Sequence, residues 1–220
     1  MIQMLTLSIL YITILTVSTL CYNPTMAVNT YHHGNLKEAL VKAGLDILSE
    51  KGIEGLSLRE VARRVGVSHT APYNHFSDKQ GLLAAISTTG HEHLHQRLLE
   101  TFERSKLASS HIIADIASAY LQFGLSNPAK FKLMFSGALE EERAHPEFVA
   151  ISEKSIALLE EIVIFCQTKG QLPEGNVRDF AVKFWSLTHG FTYLMLENQF
   201  PSEYLKSQDS ADLIKRIVER

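Results

Sequence analysis

Apolar and polar residues alternate along this chain with a helical period from Gly34 onward. In "NLKEALVKAGLDILSEKG" the spacing sets Leu36, Leu40, Ala43 and Ile47 on one face, with Asn35 and Glu38 at capping-box distance and Gly52 as a stop. Ser57 with Glu60, and Ser77 with Gln80, repeat the capping-box spacing. Pro128 and Pro146 each fit a first helical position. No sustained period-two run occurs after residue 30, and there is no Asn-Gly hairpin turn. The pattern predicts about nine helices, over 35–51, 58–65, 69–75, 79–104, 109–126, 128–136, 146–170, 176–199 and 209–219. The fold class expected is all-α, with short helices first and long ones after: a small head on a larger body.

The first 25 residues break this pattern. They carry no charged side chain, and the apolar run from Ile2 to Tyr22 is about long enough to cross a bilayer. A membrane anchor, a cleaved leader and upstream sequence translated in error all fit; a leader would want Lys or Arg ahead of the run. The third reading is favoured, with Met26 as the true start, because charge and amphipathicity begin abruptly after it. The expected organisation is an apolar extension over 1–25, a head over 26–79 and a body over 80–220.

Charge refines the picture. The net charge is −3 overall. Residues 26–79 hold seven basic and six acidic groups, a net of +1, whereas residues 80–220 hold fourteen and eighteen, a net of −4. A polyanion should approach the head. Two cysteines, Cys21 and Cys166, make no disulfide framework, so a reducing cytoplasm is the expected compartment.

The head holds the strongest motif, "SLREVARRVGVSHTAPYNHFSDK", Ser57 to Lys79. Leu58, Val61, Ala62 and Val65 form one buried stripe; Ala62 is small where a second helix must cross. Gly66 comes four residues later, where the chain must turn sharply. Val67 plugs the corner and Ser68 is placed to cap the next helix. This is the spacing of a helix-turn-helix. Pro72 removes a backbone donor from the second helix, predicting a late start or a distorted first turn.

With "QGLL" appended, the same stretch resembles the DNA-binding head of TetR-type (TetR/AcrR) transcriptional regulators. "NPAKFKLMF" and "WSLTHG" (185–190) resemble one branch of that family, marked by a C-terminal Trp-x-x-x-His-Gly motif. Pro72 departs from the commoner pattern, in which an aliphatic residue is usual. The resemblance implies an all-helical homodimer that regulates genes from double-stranded operator DNA and is released by a small-molecule effector. By position, Ser68, His69, Thr70 and Asn74 would face the major groove, and Ser57, Tyr73, His75 and Lys79 would contact phosphates. Arg59, Arg63 and Arg64 fit a solvated helix face equally well.

In the body, helix 176–199 carries two apolar stripes: Val177, Ala181, Phe184, Phe191 and Met195, and Val182, Trp185, His189, Tyr193 and Leu196. Two apolar faces imply burial on both, own core on one and a partner on the other. Phe184, Gly190, Phe191, Met195, Leu213 and Ile217 are the dimer candidates. Tyr120, Phe123, Phe131, Met134, Phe135 and Phe165 form an aromatic-rich set that serves either a core or a pocket. Trp185 and His189, one turn apart, are the best pair to orient an effector, expected to be largely apolar. His91 and His95 have a metal-ligand spacing, but no Cys or carboxylate set accompanies them, so no metal and no cofactor are expected. No phosphate loop, catalytic triad or paired-carboxylate motif is present, which argues against an enzyme. A membrane-tethered DNA-binding sensor is the alternative should the N-terminal run prove an anchor.

Overall fold

A computed structural model describes residues 36–139, 145–201, 203 and 209–218. The expectations for the first 25 residues and for Asn35 lie outside that range. Among the described residues there are eight α-helices, one 3-10 turn and no strand. In chain order these are α1 (Leu36–Lys51), α2 (Leu58–Val65), the 3-10 turn (Ala71–Asn74), α3 (Lys79–Ala108), α4 (Ile112–Ser126), α5 (Pro128–Met134), α6 (Pro146–Thr168), α7 (Val177–Leu196) and α8 (Ser210–Val218). None of the helices among these residues is long and apolar enough to cross a membrane.

The head forms as its spacing predicts, with instructive differences in detail. Ser57 caps α2 by accepting from the Glu60 N–H at 3.2 Å. The reciprocal arm of the box is not made, because the Glu60 carboxylate turns to Arg63 and Lys51. At α3 the cap is one residue later than expected: Asp78, not Ser77, accepts from the Gly81 N–H at 2.9 Å. Gly66 ends α2 at φ 79°, and the N–H groups of Gly66 and Val67 both donate to the Ala62 carbonyl. A Cβ would resist that left-handed backbone.

The expected helix over 69–75 is the largest correction. It is a four-residue 3-10 turn, with Pro72 in its first turn and buried. Pro72 has no N–H to give, so the turn is closed from the other side: His75 and Phe76 donate to the Pro72 carbonyl. Phe76 is buried, as are Leu40, Ile47, Val61 and Ala62 of the head.

α3 is shared between head and body. Its first turns bury Leu82, Leu83 and Ile86, and the Ile86 Cδ1 methyl lies against α1 at Gly44, where there is no Cβ to obstruct it. Its later turns bury Leu94 and Phe102 in the body. The body closes around α4, whose sequence "IIADIASAYLQFGLS" is apolar nearly all round and is buried accordingly. α4 packs on α3, α7 and α8, while α6 bridges α3 and α7. Phe102, Ile116, Leu121 and Ile162 are fully buried there, each contributing roughly 1.5–3 kcal/mol by removal from water. Gly124 lets α7 and α5 close on α4: a Cβ there would run into the Thr192 methyl and, at 3.3 Å, the Phe131 ring.

Candidate DNA-binding surface and effector cavity

The turn after Gly66 presents one continuous polar surface. Ser68, His69, Thr70, Tyr73, Asn74 and His75 are all exposed, while Pro72 and Phe76 face inward. Ser68 Oγ pairs with Thr70 Oγ1 at 3.1 Å, so Ser68 does not serve as the cap. Ser57 is exposed, its oxygen already accepting from Glu60. Lys79, expected to contact phosphate, also has a partner within the chain. Its Nζ donates to the Ile53 carbonyl at 2.6 Å, tying α3 to the α1–α2 connection and leaving two further N–H donors.

The arginines of α2 divide. Arg63 grips Glu60 through Nε and Nη2 at 2.9 and 2.7 Å, and Arg64 holds Glu50 through two 2.6 Å bonds. The Arg63 and then the Lys51 hydrogen bonds pull Glu60 down to about 2. The Lys51–Glu60 and Arg64–Glu50 pairs brace α2 against α1, and Arg59 is exposed.

The body holds a cavity of about 620 Å³ bounded by residues of α3, α4, α6, α7 and the segment after α5. Of the candidate residues, Tyr120, Met134, Phe135 and Trp185 line it. Phe123 and Phe131 lie behind the wall in the core, and Phe165 packs edge-on against Phe102 at 5.6 Å. His189 is in a second layer, stacked on Phe131 at 5.4 Å and paired through Nδ1 with the Tyr120 hydroxyl at 2.9 Å. Burial pushes the Tyr120 hydroxyl well above the usual tyrosine range, and a hydrogen bond with Trp185 pulls the other way. An indole N–H only donates, so the Tyr120 oxygen accepts from Trp185 while it shares its other hydrogen bond with His189 Nδ1. The polar edges of Trp185 and His189 therefore do converge, but on Tyr120.

The wall residues outside the sequence-based effector set include His91, Phe148, Ser152 and Thr188. His91 sits edge-to-face between Phe135 and Phe148, at 5.3 and 5.2 Å. Burial lowers it to about 4, opposed by a backbone hydrogen bond to Met134. His95 reaches no shared ligand set with it; among the described residues no group of three His, Cys, Asp or Glu could hold a metal. The aromatic neighbours account for His91 instead.

The dimer candidates also sort cleanly. Phe184, Phe191 and Leu213 are buried in the protomer's own core, with Met195 and Ile217 packed against it. The outward residues of α7 are Val182, Trp185, Leu187, Tyr193 and Leu194, joined by Ile156 and Ile164 of α6. Gly190 lies among them with nothing within 4 Å of where a Cβ would stand.

An all-helical chain with a helix-turn-helix at one end and a ligand-sized hollow at the other is built as a two-part DNA-binding regulator. The family model for bacterial regulatory proteins of the tetR family matches residues 40–86, and that for the tetracyclin repressor-like C-terminal domain matches residues 113–220. The chain belongs to the TetR family of transcriptional regulators. It is 24% identical over 170 residues to the HTH-type transcriptional regulator YobS of Bacillus subtilis, covering 77% of this chain and 84% of that one. The tetracycline repressor class C of Escherichia coli is 39% identical over 61 residues, 26% of this chain and 28% of its own. Among solved structures, a protein of unknown function from Rhodococcus sp. RHA1 is 30% identical with a TM-score of 0.72, covering 86% of this chain and 95% of that chain.

Proposed function

We propose that this chain is a repressor that binds a near-palindromic operator as a homodimer and lets go when a largely apolar small molecule enters the body cavity. The observation that carries this reading is the position of the cavity: His91, Leu94 and Leu98 of its wall belong to α3, the helix whose first turns are the head's own core. Ligand entry thus acts on the element that aims the head. Ser68, His69, Thr70 and Asn74 read bases, and Ser57, Tyr73, His75 and Lys79 hold phosphates. Dimerisation uses the outward stripe of α7, extended by Ile156 and Ile164, in place of the inward Phe184 and Phe191. The Trp185–His189–Gly190 motif is read as the mark of the branch that carries it, a reading supported by the double use of Trp185 at cavity and stripe. Two heads must stand about 34–36 Å apart to enter successive major grooves, and a ligand that prefers another spacing lowers the population able to bind.

Selection of bound duplexes from a random pool tests the proposal. It should return an inverted repeat whose half-sites lie about one helical turn apart. Asn74→Ala should relax one position of each half-site at a cost of about 1–3 kcal/mol, whereas Tyr73→Ala should weaken all sequences alike. Recovery of unrelated sequences with no symmetry overturns it.

A further inference from the structure

The chemistry of the cavity wall narrows the ligand, on the reading that this cavity is the effector site. The polar edges of Tyr120, Trp185 and His189 are occupied by one another. Two wall groups are left over: His91 Nε2 and Thr188 Oγ1 have no hydrogen-bond partner and are closed to solvent. Their residues are only 8% and 1% exposed. A buried polar atom is stabilised by a hydrogen-bond partner, so a ligand that bonds these two atoms is favoured over one that does not.

The two atoms have definite characters. Burial opposes protonation, so the His91 imidazole is neutral, and in the tautomer that carries its proton on Nδ1 the Nε2 atom is a bare acceptor. The Thr188 hydroxyl gives or takes a proton. Charge narrows the choice further. Among the described residues no Lys or Arg lines the cavity, and the carboxylate that does, Glu153, is exposed to water. Among those residues a buried carboxylate ligand would meet no cation, and a buried ammonium would find its counter-charge only out in solvent.

We propose that the cavity takes an uncharged molecule with an apolar body and one hydroxyl or amide N–H, which donates to His91 Nε2 with Thr188 as the second anchor. Phe135 and Phe148 close on the His91 ring, so seating the donor displaces one of them. Phe135 stands directly after the last turn of α5, which makes that segment the part of the wall that yields.

Trp185 is the chain's sole tryptophan and lines the cavity, so its fluorescence reports occupancy. Titrating the intact protein with decanol, decanoate, decylamine and decane should give tightest binding for decanol, by about tenfold or more over decanoate and decylamine. His91→Phe should reduce decanol affinity about tenfold and leave decane unchanged, bringing the two together. Thr188→Val, nearly isosteric, should do the same to a lesser degree and serves should His91→Phe fold poorly. Equal or tighter binding of decanoate or decylamine, or a decanol preference untouched by both variants, overturns the inference while leaving the cavity as the effector site. Silence of Trp185 towards all four probes overturns both.

Discussion

His91 shows how much one side chain can hide at the residue scale. Its spacing from His95 is that of a metal pair, yet it is a cavity wall between two phenylalanines. Helical period separates inward from outward positions, but it does not distinguish an inward position that is packed from one that borders a hollow. For that reason the spacing grouped Tyr120, Met134, Phe135 and Trp185, which border the cavity, with Phe123, Phe131 and Phe165, which are packed, and nothing in it marked His91 or Thr188 as wall. Neutral burial of His91 has a pH consequence. Its folded value, about 4, lies below the ordinary 6.5, so between those limits the unfolded chain binds more protons and stability falls as pH falls. Burial pushes His93, His95 and His189 the same way. Urea unfolding at pH 7, 6 and 5 should show declining stability, and His91→Phe should flatten the decline. Equal slopes for variant and parent would refute the assignment.

At the scale of elements, most helices fall within a few residues of where the apolar spacing put them. The differences come from choices that spacing leaves open. Ser77 and Asp78 both suit a cap, and only the path of the chain into α3 selects Asp78. Pro72 was visible as a disturbance, but not that it would shrink the element to one 3-10 turn. α3 runs on to Ala108 because no Gly or Pro stands near residue 104 to stop it. Gly66 is the point where an element depends on one backbone angle. At φ 79° with open space around it, Gly66→Ala should cost about 1–2 kcal/mol through backbone strain alone, read as a lower urea midpoint. Gly66→Asn should cost less, since Asn tolerates this conformation. Equal losses for the two would mean that packing, not backbone angle, governs the corner.

At the scale of the molecule, the two-stripe pattern of α7 predicts a helix covered on both sides, but not which stripe faces the chain's own core. The inner stripe fills the protomer's core, and the outer one, with Tyr193 at 46% and Leu194 at 43% exposure, stands uncovered. Tyr193→Glu with Leu194→Glu should therefore yield folded monomers with weak operator binding, measured by sedimentation equilibrium and gel shift. Phe191→Ala should instead lower stability by about 3–5 kcal/mol. A double variant that remains dimeric would move the interface elsewhere.

The thirty unbroken residues of α3 give the molecule a mechanical gearing. From His91 down to Lys79 the helix extends about 18 Å at 1.5 Å per residue, so a tilt of about 5° pivoting at the cavity carries each foot sideways by about 1.6 Å. In the proposed dimer, two feet swinging apart would misfit the pitch of a duplex by about 3 Å, which is the width of a hydrogen bond: an input no larger than a ring stepping aside would make both feet miss their footing at once.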